Sequence, residues 1–305
     1  MTLIREALNE SQRLGVARLD AQLLLLHVLT RVEGTTPPLP ANLRRAWLLS
    51  HDDHALAPEQ LKAWRAALRR RVSGEPLAYV VGEQPFCGLR LGVSPAVLIP
   101  RPETESLVQW ALECLHAAQW PQPRVLDLGT GSGAVALAIK HRCAYATLWA
   151  SDISPAALAV ATDNAQRLQM DINWVHANWW AAPEDGSTDL SAAADAFEAA
   201  FDLVVSNPPY IAPGDAHLDA LQHEPRAALV GADDGLGDLR RIISGSRRRL
   251  APGAWLLLEH GHDQAAALQA LLVQAGFETP QTRADLAGLP RCTGARWPLP
   301  PSSLS

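Results

Sequence analysis

Apolar positions in the first part of the chain recur at helical spacing. Leu3, Ile4, Ala7 and Leu8 share one helix face, and Asp20 stands as an N-cap for a helix over 21–29. The run Gly34-Thr35-Thr36-Pro37-Pro38-Leu39-Pro40 breaks this pattern. A further helix over 58–72 opens with Pro58 in its first turn and ends near Gly74. No strand signal interrupts, so residues 1–75 are expected to form a small helical bundle. Over 76–100 the texture changes. Tyr79-Val80-Val81-Gly82, Gly88-Leu89-Arg90-Leu91-Gly92-Val93 and Ala96-Val97-Leu98-Ile99 are short apolar runs punctuated by Gly and Pro, as in a β-hairpin connector.

From Glu103 onward, helical patterns alternate with strands at 124–128, 147–151, 173–176, 201–206 and 254–259. Such alternation implies a parallel sheet covered on both faces. Two later strands, near Phe277 and over 291–297, follow with a shorter link and suit an antiparallel edge pair. The expected fold of residues 101–297 is therefore α/β, with a seven-stranded, mostly parallel sheet whose final strand is antiparallel. Residues 181–200, rich in Ala, Asp, Glu and Ser, resemble a surface insertion, and 298–305 a flexible tail. Internal repeats are absent.

Composition narrows the function classes. The chain has 305 residues, 48% hydrophobic and 19% charged, enough for one large domain or two unequal ones. Its formal charge of -6 supplies no global positive field to draw it to DNA or RNA. Cys87, Cys114, Cys143 and Cys292 lie far apart without Cys-x-x-Cys spacing, which suits a reduced cytoplasmic protein with no metal site. The first residues lack the form of a signal peptide. The apolar run Leu23 to Leu26 is far too short to span a bilayer, so no membrane partner is expected.

The strand at 124–128 runs into Asp127-Leu128-Gly129-Thr130-Gly131-Ser132-Gly133, ahead of a helix that continues through 134–139. Glycines 129, 131 and 133 allow a tight turn and close approach of a ligand. The spacing G-x-G-x-G differs from the dinucleotide fingerprint, and Asp127 would repel a pyrophosphate while accepting hydrogen bonds from a cationic amino acid. This combination favours S-adenosylmethionine over NAD. Asp152, at the next strand end, is placed to take both ribose hydroxyls. Its alternative is to cap the helix starting near Pro155, a role Ser154 could fill equally well. Trp179, following the third strand, can pack against an adenine, the alternative being an ordinary core aromatic.

Asn207-Pro208-Pro209-Tyr210 closes the fourth strand. Two prolines supply no backbone donors and fix their own φ angles, so the chain forms a rigid rim of acceptors. If the Asn207 side-chain oxygen and the Pro208 carbonyl each accept an N–H, a planar nitrogen is held with its lone-pair face toward an electrophilic methyl. Tyr210 would stack on the flat group and fix its plane. Methyl transfer onto an exocyclic amine of adenine or cytosine, or onto a glutamine amide, fits equally well.

Motifs across nearly the whole chain resemble the HemK/PrmC family of protein-glutamine methyltransferases. They run from Leu19-Asp20-Ala21-Gln22-Leu23-Leu24-Leu25 and Gly74-Glu75-Pro76-Leu77-Ala78-Tyr79 through Ile99-Pro100-Arg101-Pro102-Glu103-Thr104-Glu105 to the glycine loop and Asn207 to Tyr210. Beyond these stand Glu224-Pro225-Arg226-Ala227-Ala228-Leu229, Asp234-Gly235-Leu236 and Leu258-Glu259-His260-Gly261. The resemblance implies a class I (Rossmann-like) methyltransferase fold. It also implies that Asp127, Gly129, Thr130, Gly131, Ser132, Gly133, Asp152, Trp179 and Asn207 bind the cofactor, while Asn207, Pro208, Pro209 and Tyr210 bind substrate. Its implied target is the glutamine of the Gly-Gly-Gln loop of class I peptide chain release factors, methylated at N5, with the N-terminal helices docking the release factor. Asn178, Cys87 and His223 depart from the family's usual residues. Alternatives are a glutamine methyltransferase of a large-subunit ribosomal protein, an adenine-specific DNA methyltransferase, and a catalytically silent binding protein on the same scaffold. Arg101 to Glu105 argues for the release-factor branch, and the low basic charge argues against nucleic acid.

Overall fold

The computed structural model describes residues 2–31, 45–181, 197 and 200–300. Most of the 181–200 insertion and residues 301–305 of the expected tail lie outside the described residues. The chain divides into two compact units, Met1–Glu83 and Gln84–Ser305, a division falling within the 76–100 segment.

In the first unit, α1 (Ile4–Arg13), α2 (Arg18–Arg31), α3 (Arg45–Ser50), α4 (Pro58–Val72) and α5 (Leu77–Val81) surround a core of Ile4, Leu24, Leu25, Leu48, Trp64 and Leu68. Pro58 opens α4, as its fixed φ and missing N–H favour. Asp20 is not an N-cap. It lies in the first turn of α2, where a carboxylate suits the positive end of the helix, and it accepts a 2.8 Å hydrogen bond from Arg71 Nε.

The connector contains fewer strands than its apolar runs suggest. Tyr79, Val80 and Val81 belong to α5, which Pro76 introduces and Gly82, at φ 77°, ends. A five-residue apolar run does not distinguish a buried helical turn from a strand. Only β1 (Glu83–Phe86) and β2 (Leu89–Gly92) pair, across a turn in which Cys87 and Gly88 both have positive φ. Residues 96–99 form no strand. Pro95 and Pro100 flank them without donors, and the Ile99 N–H donates to the Glu224 carboxylate at 3.0 Å instead of to a ladder.

The second unit continues with α6 (Glu105–Ala118), β3 (Arg124–Leu128), α7 (Ala134–Arg142), β4 (Thr147–Asp152), α8 (Pro155–Leu168), β5 (Asn173–His176) and β6 (Phe201–Ser206). Then come α9 (Gly237–Ser246), β7 (Leu250–Glu259), α10 (Ala265–Gln274), β8 (Glu278–Ala284) and β9 (Pro290–Arg296). The seven strands lie in the order β5-β4-β3-β6-β7-β9-β8. Every pairing is parallel except those of β9, which runs antiparallel between β7 and β8. Successive side chains of a strand face opposite sides, and both sides here are apolar. Val125, Leu203 and Leu257 pack with Leu107, Leu115 and Leu137, whereas Leu126, Val204 and Leu256 pack with Leu239, Ile242 and Leu268.

Strand order reverses at β3 and β6, which are neighbours although far apart in sequence. Their carboxyl ends are tied together, because the buried Ser206 hydroxyl donates to the Leu128 carbonyl at 2.7 Å. The glycine loop after β3 and the Asn-Pro-Pro-Tyr segment after β6 therefore emerge side by side, at the switch point where such sheets open a crevice. Among the described residues, no helix is long and apolar enough to cross a membrane, and no group of three or more His, Cys, Asp or Glu could hold a metal.

Candidate active site

A cavity of about 600 Å³ opens over this switch point. Its walls include Asp127, Gly129, Thr130, Gly131, Ser132, Asp152, Trp179, Asn207 and Pro209. The structure thus gathers eight of the nine expected cofactor residues, Asn207 among them, together with Pro209. Gly133 is not in the wall. It sits at φ 81° immediately before α7, packed against Leu137, Ala161 and Trp174.

Asp127 is buried beneath the loop. Its Oδ2 accepts from Thr130 Oγ1 at 2.7 Å and from the Ala136 N–H at 3.1 Å. Loss of solvation pushes its carboxyl up to about 7, more than these two bonds hold it down. Asp152 caps neither the following helix nor its own strand. Ser154 supplies the cap, accepting from the Ala157 N–H at 3.2 Å, while Asp152 accepts from the Gly131 N–H at 2.9 Å and the Ser154 N–H at 2.9 Å. Burial raises its carboxyl as well, against those backbone bonds. Two acids desolvated in one cavity favour a ligand that brings positive charge and hydroxyl donors.

Trp179 is half-buried, adopts φ 54°, and lies so close to Gly129 that a Cβ there would approach the indole to 3.2 Å. Its Nε1 donates to Asp238 Oδ1 at 3.1 Å. Asp238 also accepts from the Ala232 N–H at 3.0 Å and Arg241 at 3.2 Å. Sequence reasoning passed over Asp238, which lies in the first turn of a helix and carries no motif of its own.

A second cavity, about 220 Å³, is lined by Leu98, Arg101, Asn207, Pro208, Tyr210, Ile211, Leu221, Ala228 and Leu229. It shares Leu98, Arg101, Asn207 and Ala228 with the larger one. Asn207 Nδ2 donates to Thr104 Oγ1 at 3.2 Å, which leaves the amide oxygen as the free acceptor of that side chain. The segment carrying Thr104 is itself anchored. Buried Glu224 accepts from the Ile99 N–H and pairs with Arg101. Tyr210 borders the smaller cavity, and burial together with nearby Glu259 pushes its phenol up to about 12, so it is neutral at ordinary pH.

The backbone of the rim is packed from behind. Gln264 Nε2 donates to the Tyr210 carbonyl at 3.1 Å. Gly235, at φ 85°, approaches the same carbonyl so closely that any Cβ would collide with it. This accounts physically for the glycine of Asp234-Gly235-Leu236.

Residues 2–82 match the model of the PrmC N-terminal domain, and residues 108–229 that of the methyltransferase small domain. A release factor glutamine methyltransferase of Bordetella pertussis is 45% identical over 296 residues, covering 96% of this chain and 99% of its own. The chain belongs to the release factor glutamine methyltransferase family. A member from Coxiella burnetii is 41% identical over 302 residues, covering 97% of this chain and 99% of its own. A methyltransferase from Pyrococcus furiosus, 14% identical with a TM-score of 0.50 over 76% of this chain and 98% of its own, shares the fold. Within this release factor glutamine methyltransferase family member, Asn178 borders the larger cavity and exchanges backbone hydrogen bonds with Ala181.

Proposed function

We propose that the protein methylates the side-chain amide nitrogen of the Gly-Gly-Gln glutamine of class I peptide chain release factors, using S-adenosylmethionine. The observation that carries this reading is Asn207, held by Thr104 on the wall common to an acid-lined cavity and a smaller one bordered by prolines and a tyrosine.

The residues present fit the cofactor. The acids of the larger cavity suit a cationic amino acid and a ribose diol, and Gly129 leaves room beside the indole of Trp179. Asp127 would hold the ammonium, Asp152 the ribose hydroxyls and Trp179 the adenine. S-adenosylmethionine supplies a methyl group on a positively charged sulfur. Asn207 Oδ1 and the Pro208 carbonyl take the two amide hydrogens, and Tyr210 holds the amide plane, so the nitrogen presents its lone-pair face to the methyl group. The same two acceptors stabilise the positive charge that develops on nitrogen, which can lose its proton after transfer. The helical unit, with its family match over 2–82, contributes the docking surface for the release factor.

Incubation of the purified protein with labelled S-adenosylmethionine and a release factor is expected to place label on the Gly-Gly-Gln glutamine, located by peptide mass spectrometry. Transfer to a large-subunit ribosomal protein or to DNA, with none to release factor, would sink this reading.

A further inference from the structure

One buried acid behind the Asn-Pro-Pro-Tyr rim has no part in the scheme above. Glu259 ends β7, one residue past the Ser206–Leu258 pair of the parallel β6–β7 ladder, and so lies beside Asn207. It is 1% exposed, and its Oε2 has no hydrogen-bond partner among the described residues. The groups facing it come from three elements. Glu103 and Thr104 belong to the anchored segment before α6, Tyr210 follows β6, and Arg291 and Cys292 belong to β9. Burial pushes the carboxyl up to about 7, while the Thr104 hydroxyl, Arg291 and the Tyr210 hydroxyl favour its ionised form.

Thr104 connects this acid to the rim. Its hydroxyl has one proton and two lone pairs, and a lone pair already receives Asn207 Nδ2–H. The proton is therefore free to point at the carboxylate. We propose that Glu259 is a positioning residue for methyl transfer: by drawing the Thr104 hydroxyl proton, it keeps Thr104 an acceptor toward Asn207 and so keeps the Asn207 oxygen turned to the substrate amide. Without that acceptor the hydroxyl can rotate and donate to Asn207 Oδ1. The amide then flips and presents N–H groups to a substrate that needs acceptors. A protonated Glu259 can do the same by donating to Thr104, so the competent form is the carboxylate. This inference rests on the assignment of Asn207 as the substrate's acceptor.

The test combines an orientation readout with kinetics. In protein labelled with ¹⁵N-asparagine, the Asn207 side-chain NH₂ should give one sharp pair of signals at pH 8. Broadened or doubled signals are expected in Glu259→Gln and Thr104→Val, and in the wild-type chain at pH 6. With saturating cofactor, Glu259→Gln and Thr104→Val should lower kcat about 10-fold or more, with KM and cofactor affinity within a few-fold, because alignment of the reacting nitrogen is lost but the cavities remain. Thr104→Ser, which restores the hydroxyl, should recover most of kcat. Wild-type kcat should rise from pH 6 to 8 and that of Glu259→Gln should not. Unchanged Asn207 signals in both variants, or a pH rise that persists in Glu259→Gln, overturn the proposal. If the wild-type chain fails to methylate release factor, the proposed function falls, while the Asn207 signals still decide the role of Glu259.

Discussion

At the scale of single residues, the proposed scheme rests on two desolvated acids and one oriented amide. In that scheme Asn207→Ala removes an acceptor that acts on charge developing at the substrate nitrogen, but leaves Asp127, Asp152 and Trp179 in place. Turnover should fall by about 100-fold or more, with cofactor affinity changed little; calorimetric binding beside a methyl-transfer assay separates the two. Asp127 makes a second prediction. Burial pushes its carboxyl up to about 7, above the roughly 4 of an exposed acid, so folding favours the protonated form. Its contribution to stability is present below about pH 4 and is lost as pH rises through about 7. Asp127→Asn has no such loss, so its unfolding midpoint should gain on that of the unsubstituted chain between pH 5 and 8. A cation at the site needs the ionised form. S-adenosylmethionine should therefore bind more tightly as pH rises from 6 to 8, and this dependence should vanish in Asp127→Asn.

At the scale of elements, strand ends aim the chemistry and short tethers hold the loops in place. Ser206 links β6 to β3, Glu224 pins the 99–101 segment, and Thr104 joins that segment to Asn207. Gly235 supports the rim in another way, since a Cβ there meets the Tyr210 carbonyl and φ 85° disfavours any side chain. Gly235→Ala should cost about 1–3 kcal/mol in urea unfolding and depress turnover more than cofactor binding, because the displaced backbone carries the substrate rim. Full turnover in a folded Gly235→Ala protein would show that the rim tolerates displacement. Among the elements, the α/β alternation was legible from periodicity alone. The hairpin connector was only half legible, because Tyr79 to Val81 and Ala96 to Ile99 are too short for periodicity to separate helix, strand and loop.

At the scale of the molecule, every residue lining the two cavities lies in Gln84–Ser305. A chain lacking residues 1–83 should therefore bind S-adenosylmethionine within a few-fold of the full protein. Its kcat/KM toward intact release factor should fall about 10-fold or more if the helical unit supplies docking contacts; equal kcat/KM for the two chains would remove that role. The sequence by itself determined the order of elements, the glycine loop with its acids and the Asn-Pro-Pro-Tyr rim, because these are local patterns of periodicity, backbone freedom and side-chain chemistry. It did not reveal Thr104, Glu224, Asp238 or Glu259 as partners of the site. Each is brought to the site from a segment distant in sequence, and such neighbourhoods exist only once β3, β6 and β7 lie side by side. Tertiary structure likewise decided that Ser154, and not Asp152, caps α8, since the Gly131 N–H that engages Asp152 reaches it across the fold. Burial is the common physical reason. Which acids lose water, and which amide finds a hydrogen-bond partner, depends on what packs around them.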